Sequence, residues 1–208
     1  MRIGLDFDNT IVCYDEAISI LANKLFELPS EVPRTKVGVR NFLRAAGRGE
    51  EWSAFQGELY GPGMCLAQPF DGAIDTMHQL EADGHDLVIV SHRSLRPYAG
   101  KPHDLHAAAL GWVSQHLQTA GLFTNRSLIG DNSGSVHFLE SQEKKLAKIA
   151  ELRCELFLDD LPEVIHSPGF PAATIGILFG STSAIMDNTS LLHISSWDQL
   201  PAQLNRVP

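Results

Sequence analysis

The chain opens Met1-Arg2-Ile3-Gly4-Leu5-Asp6-Phe7-Asp8-Asn9-Thr10. A short apolar run, Ile3-Gly4-Leu5, ends in two acids spaced by two. Residues with that spacing leave a strand end on the same side, so Asp6 and Asp8 share a face and Phe7 points away. One carboxylate can attack while the other handles protons. The same pair also suits an ordinary strand-to-loop turn.

Working outward, five more apolar runs follow the same plan. Residues 87–90 run into Ser91, 136–139 into Glu140, 156–158 into Asp159, 174–179 into Gly180 and 191–194 into Ser195. None alternates with polar residues, which is the mark of strands buried on both faces. Helical patterns lie between them. Over 71–83, Ile74, Met77 and Leu80 recur at helical spacing before Gly84 stops the run. Residues 105–119 do the same before Gly121, and 141–152 carries Leu146, Ile149, Ala150 and Leu152 on one side. This alternation predicts an α/β fold with a doubly wound parallel sheet. Ligands in such folds sit beyond the C-terminal ends of the strands, where Asp6, Ser91 and Asp159 fall.

Residues 14–68 break the alternation. They read as helices over 15–27, 36–46 and 51–60, with Pro29 and Pro33 between the first two and Gly61-Pro62-Gly63 after the last. The segment is too long for a loop in a compact domain. It is expected to be a small inserted α-helical cap, 14–68, on a core made of 1–13 and 69–208. The stretch 95–104, with Pro97 and Pro102, reads as an ordered loop that shapes the pocket.

Composition narrows the function. Sixteen basic against 25 acidic residues among 208 leave a net charge of −9. That balance excludes a broad nucleic-acid footprint and disfavours anionic membranes. It leaves room for a small anionic substrate, because a metal and a few cations reverse the field locally. Cys13, Cys65 and Cys154 are scattered and show no zinc spacing, as expected of free thiols in a reducing compartment. Asp6 and Asp8 interrupt any apolar signal region. The apolar runs are too short to span a bilayer, so a cytoplasmic location is expected.

Three further positions carry chemistry. A hydroxyl at Ser91 suits a phosphoryl oxygen, or the cap of a turn. Lys145, near a helix start, suits a carboxylate cluster, or with Lys144 and Lys148 a solvated helix face. Asp159-Asp160 offers hard oxygen ligands of the kind Mg²⁺ takes. The same pair also suits a helix N-cap ahead of Pro162.

In this order along the chain, DFDNT (6–10), Ser91, Lys145 and Asp159-Asp160 resemble the haloacid dehalogenase (HAD) superfamily, in its phosphatase branch. The stretches PFDGAIDTMHQLEADGHDLVIVS (69–91) and KLAKIAELRCELFLDD (145–160) resemble that superfamily's approaches to its second and last motifs. The likeness covers residue 1 to about 180. Ile129-Gly130-Asp131-Asn132 resembles an alternative form of the last motif, but it precedes Lys145 and lacks a following acid.

The resemblance implies a Rossmann-like core with a first-site helical cap at 14–68. It implies a magnesium-dependent phosphomonoester hydrolase that acts on a small soluble phosphorylated metabolite through an aspartyl-phosphate. Asp6 is then the nucleophile and Asp8 the general acid and base. Ser91 and Lys145 bind the transferring oxygens. Asp6, the main-chain carbonyl of Asp8, Asp159 and Asp160 hold Mg²⁺. A phosphomutase or phosphotransferase of the same superfamily shares these core motifs and stays open, whereas the intact Asp6, Asp8, Lys145 and Asp159 count against a non-catalytic binding protein on this core. Substrate contacts are expected from Thr10, His92 and Arg93, and in the cap from Arg40, Arg44, Trp52, Gln56 and Tyr60. Trp52 and Tyr60 suit the cap's own apolar core better. Arg93 suits a second anionic group on the substrate. The partner is expected to be a small phosphorylated molecule and neither nucleic acid nor membrane, with monomer and homodimer both open.

Overall fold

A computed structural model describes residues 1–125, 127–130, 134–180 and 192–204. In chain order the strands and helices begin with β1 (Arg2–Leu5), β2 (Val12–Cys13), α1 (Asp15–Leu25), α2 (Lys36–Ala45) and α3 (Gly49–Tyr60). Next come β3 (Gln68–Pro69), α4 (Ala73–Ala82), β4 (Asp86–His92), α5 (Leu105–Trp112) and β5 (Val136–Leu139). The last are α6 (Gln142–Glu151), β6 (Leu156–Asp159), α7 (Pro162–Ile165), β7 (Ile175–Phe179), β8 (Leu192–Ile194) and α8 (Leu200–Leu204).

The apolar runs of the sequence are the strands of one sheet. Among the described residues it has six strands in the order β5-β4-β1-β6-β7-β8, and every neighbouring pair is parallel. A parallel sheet needs crossover helices on its faces, so its strands are buried on both sides. Ile3 and Leu5 on β1 and Leu156, Phe157 and Leu158 on β6 are all at 0% exposure. Gly4 pairs with Phe157 of β6. A Cβ at Gly4 would lie 2.4 Å from the Phe157 ring, so the ring occupies the space that a side chain on β1 would need. Helix α6 lays Leu146 and Ile149 against Val88, Val90 and Phe157 in a shared core cluster.

Two compact units result. The first draws on Met1–Val12, Pro69–Arg93 and the chain from His116 onward, and it contains the sheet. The second joins Cys13–Gln68 to Ser94–Gln115. Its helices α1, α2 and α3 lie within a residue or two of the expected bounds. Thr35 caps α2 by accepting from the Gly38 N–H at 3.1 Å. Within this unit Trp52 stacks on Phe55 with ring centroids 5.6 Å apart, and Tyr14 meets Tyr60 edge-on at 5.2 Å.

The sequence reading assigns 94–115 to the core, whereas in the structure this stretch packs with the helices. The Trp112 Nε1–H donates to the Ala67 carbonyl at 2.9 Å, and His103 Nε2 lies 3.1 Å from Glu58 Oε1. Helix α5 then gives way to one π-helical turn, Val113–Gln118. All three cysteines are free thiols. Among the described residues no helix is long and apolar enough to cross a membrane.

Candidate active site

The site lies within the sheet-containing unit, at the C-terminal ends of β1, β4 and β6. Asp6 extends β1 by one residue, since its N–H donates to the Leu158 carbonyl at 2.8 Å. The chain then turns. Asn9 adopts φ of 58°, a left-handed conformation that Asn tolerates better than most residues. The N–H groups of Ile11 and Val12 both donate to the Phe7 carbonyl, at 3.1 and 3.0 Å. The two acids therefore leave a fixed strand end on a tight turn.

Asp6 is 4% exposed and receives two hydrogen bonds on one oxygen. Ser91 Oγ donates to its Oδ1 at 2.9 Å and Lys145 Nζ to the same atom at 2.6 Å. Lys145 also donates to Asp159 Oδ2 at 2.6 Å. Asp159 is wholly buried, and its other oxygen accepts the Leu161 N–H at 3.0 Å. The helix N-cap expected of the acidic pair is not formed by Asp160, because α7 begins after Leu161 without a side-chain cap.

Lys145 reaches this cluster because α6 turns it inward. Ser141 caps the helix by accepting from the Lys144 N–H at 3.2 Å. Lys145 then falls in the inward row with Ile149, four residues on. Lys144, one residue back, instead faces outward near Glu140 at 3.9 Å. The solvated-face reading of the lysines thus describes Lys144, while Lys145 is 1% exposed.

The electrostatics follow from one cation serving two carboxylates. Burial works against the Lys145 ammonium, but Asp6 and Asp159 outweigh it and raise its pKa above the ordinary lysine value. Burial, and then the charge of Asp6, push Asp159 up to about 7 despite Lys145 beside it. The two shifts agree: the shared ammonium cannot neutralise both acids at once. Oxygens of Asp6, Asp159 and Asp160 lie within 4.8 Å of one another. Three carboxylates against one ammonium leave two negative charges. A divalent cation with hard oxygen preferences matches that deficit and that donor set.

Asp8 is engaged elsewhere. Arg93 Nη1 donates to both its oxygens, at 2.6 and 2.9 Å. Thr10 is wholly buried, and its carbonyl accepts from Trp197 Nε1–H at 2.9 Å. Among the described residues its hydroxyl has no hydrogen-bond partner. His92 is exposed, on the opposite face of β4 from Ser91. Trp52, Gln56 and Tyr60 lie on α3 in the helical unit, where Trp52 is buried and the other two half-buried. Arg40 and Arg44 lie on α2. Asp131 and Asn132 are outside the described residues. Beside the carboxylates opens a cleft of about 380 Å³ lined by Asn9, Phe70, Asp160, Leu178, Phe179 and Ser195. Two contacts had no sequence signal by themselves: the hold of Arg93 on Asp8 and that of Trp197 on Thr10.

No protein-family model matches the sequence, and no curated protein does. Solved structures do. A HAD-superfamily hydrolase from Ehrlichia chaffeensis superposes with a TM-score of 0.56 at 13% identity, over 99% of this chain and 96% of that one. A predicted phosphatase from Clostridium acetobutylicum gives 0.59 at 14% identity, over 99% and 98%. A HAD family hydrolase from Deinococcus radiodurans, solved with bound phosphate and sodium, gives 0.53 at 15% identity, over 99% and 95%. At these identities the likeness establishes the fold: the chain has the α/β architecture of these hydrolases.

Proposed function

We propose that the protein is a magnesium-dependent phosphatase of the HAD superfamily that hydrolyses a small soluble phosphomonoester through an aspartyl-phosphate. The observation that carries this reading is the buried cluster in which Lys145 and Ser91 share one oxygen of Asp6 beside Asp159 and Asp160. A carboxylate buried among other acids, with one ammonium shared between two of them, is costly as structure. It makes sense as a nucleophile that meets an anion only when a cation is present.

In this reading Asp6 attacks phosphorus in line. The bond from phosphorus to the ester oxygen breaks, and Asp8 gives its proton to that oxygen as the alcohol leaves. Water then attacks the aspartyl-phosphate, Asp8 takes a proton from it, and the phosphorus–Asp6 bond breaks to release inorganic phosphate. Ser91 and Lys145 orient Asp6 and offset charge on the transferring oxygens. Asp6, Asp159, Asp160 and the Asp8 main-chain carbonyl would hold Mg²⁺, which would supply neutralisation between a carboxylate and a phosphate that otherwise repel. Catalysis is then largely positioning and electrostatics, as phosphoryl transfer demands.

The 380 Å³ cleft beside Asp160 suits a metabolite-sized ester. The net charge of −9 supports a small-molecule partner over nucleic acid or an anionic membrane, and a cytoplasmic setting fits the free thiols. Selection among esters is assigned to the helical segment 14–68, read as the cap.

The test is phosphate release from a panel of esters, with and without Mg²⁺, for the wild type and Asp6→Asn. Metal-dependent release that vanishes in a folded Asp6→Asn variant is expected. A folded wild type that releases phosphate from no ester in the presence of Mg²⁺ overturns the reading in favour of a mutase or a binding protein.

A further inference from the structure

Arg93 follows β4 directly, two residues after Ser91. The two acids of β1 are spaced the same way. The strands are parallel neighbours, with Leu5 paired to Ile89. Residues two apart on a strand share a face, so Arg93 leaves β4 on the side that carries Ser91. Past the last paired residues the side chains meet across the strand ends: Ser91 reaches Asp6 at 2.9 Å, and Arg93 reaches Asp8 at 2.6 and 2.9 Å.

Arg93 is also the more rigid member of its pair. It is 4% exposed. Its N–H donates to the Leu139 carbonyl at 2.7 Å, which extends the β4–β5 ladder. Its guanidinium lies over the Phe7 ring, 5.8 Å from the centroid. The side chain of Asp8 is 21% exposed and sits on the turn beyond β1. A buried guanidinium with its backbone in the sheet thus holds both oxygens of the Asp8 carboxylate.

We propose that Arg93 is a positioning residue for Asp8, holding the carboxylate where it can serve the ester oxygen, and that it is not a grip for a second anionic group on the substrate. This rests on the phosphoester reading given above. A substrate anion at Arg93 would have to displace Asp8, the residue that the same reaction needs in place.

The role predicts a dependence on the leaving group. An alkoxide is too basic to depart without a proton, whereas p-nitrophenolate departs unprotonated. Asp8 placement therefore governs formation of the aspartyl-phosphate from alkyl esters and hardly touches its formation from the aryl one, while hydrolysis of the intermediate is common to both. The experiment compares kcat and KM with Mg²⁺ on β-glycerophosphate and p-nitrophenyl phosphate, for the wild type, Arg93→Gln and Arg93→Lys. In Arg93→Gln the alkyl-to-aryl ratio of kcat/KM, which stops at departure of the leaving group, is expected to fall by about tenfold or more, with part of it restored in Arg93→Lys. Equal losses of kcat/KM on both esters, or a rise in KM on both, overturn the role in favour of a structural part or a substrate grip.

A double-mutant cycle with Asp8→Asn and Arg93→Gln in urea denaturation tests the pair without turnover. Non-additive losses are expected, and additive ones remove the physical basis of the role. A folded wild type inactive on both esters ends the phosphoester reading and this role with it. A normal wild type with an unchanged ratio ends the role alone.

Discussion

Lys145 and Asp159 are 14 positions apart in the chain and 2.6 Å apart in space, with both side chains buried. Asp6 shares the same ammonium, so its removal strands two carboxylates in the core. Lys145→Met keeps the volume and deletes the charge. It is expected to cost about 3–5 kcal/mol in urea denaturation without metal, the usual penalty for breaking a buried pair. Phosphatase activity should fall with it, by more than the loss of folded protein explains. A variant as stable as the wild type would show that the cluster is not held by this cation.

With Mg²⁺ bound as proposed, metal and protons compete at Asp159. Its carboxyl lies raised, from an ordinary 3.8 to about 7. Between those values the folded state holds more protons than the unfolded one, so metal-free stability falls as pH rises through that window. Lys145, raised above its ordinary value, stays charged throughout and loses its contribution only in strong alkali. Mg²⁺ must displace the Asp159 proton to bind, so its stabilisation grows with pH. The rise in Tm on adding Mg²⁺ is expected to be larger at about pH 8 than at about pH 5. Equal rises would place the ion elsewhere.

Gly4 tests the packing beneath Asp6. With Phe157 2.4 Å from the site of a Cβ, Gly4→Ala overfills the sheet. The expected loss is about 1–3 kcal/mol by chemical denaturation. Trimming the ring in Phe157→Leu should recover part of it in the double variant. Undiminished stability in Gly4→Ala alone would mean that β1 and β6 yield readily at this point.

Trp197→Phe removes the donor to the Thr10 carbonyl while keeping most of the apolar bulk. A buried carbonyl left without its partner costs about 1–3 kcal/mol. The turn that carries Asp8 should loosen as well, so turnover is expected to drop at temperatures where the variant is fully folded. Unchanged turnover there would limit Trp197 to packing.

The strands were legible because each is a bare apolar run ending in a polar residue, and burial on both faces leaves no other pattern. Lys145 was legible by its place after Ser141 on a helix start and by its spacing ahead of Asp159, although Lys144 and Lys148 blurred it. Its inward turn becomes plain once Ile149 is seen in the same row. The partner of Arg93 was not legible, since strand adjacency is a tertiary property: Arg93 meets Asp8 only because β1 and β4 lie side by side. Nor could the sequence place 94–115. Two prolines and a helix start mark it as a loop and a helix without saying which unit it packs against, and its bond from Trp112 to Ala67 is a long-range choice. Trp197 carried no signal, because an indole far along the chain looks the same whether it fills a core or holds a turn.

The bond between Trp197 and Thr10 joins residues 187 positions apart. It sets an order of events during synthesis. Asp6 is made well before Ser91, Lys145, Asp159 and Trp197, and its surroundings are complete only when all four have followed. At about 5–20 residues per second Asp6 waits many seconds without the lysine that pairs it or the indole that steadies the turn beyond it. The site proposed for phosphoryl transfer can therefore close only after Trp197 has been made.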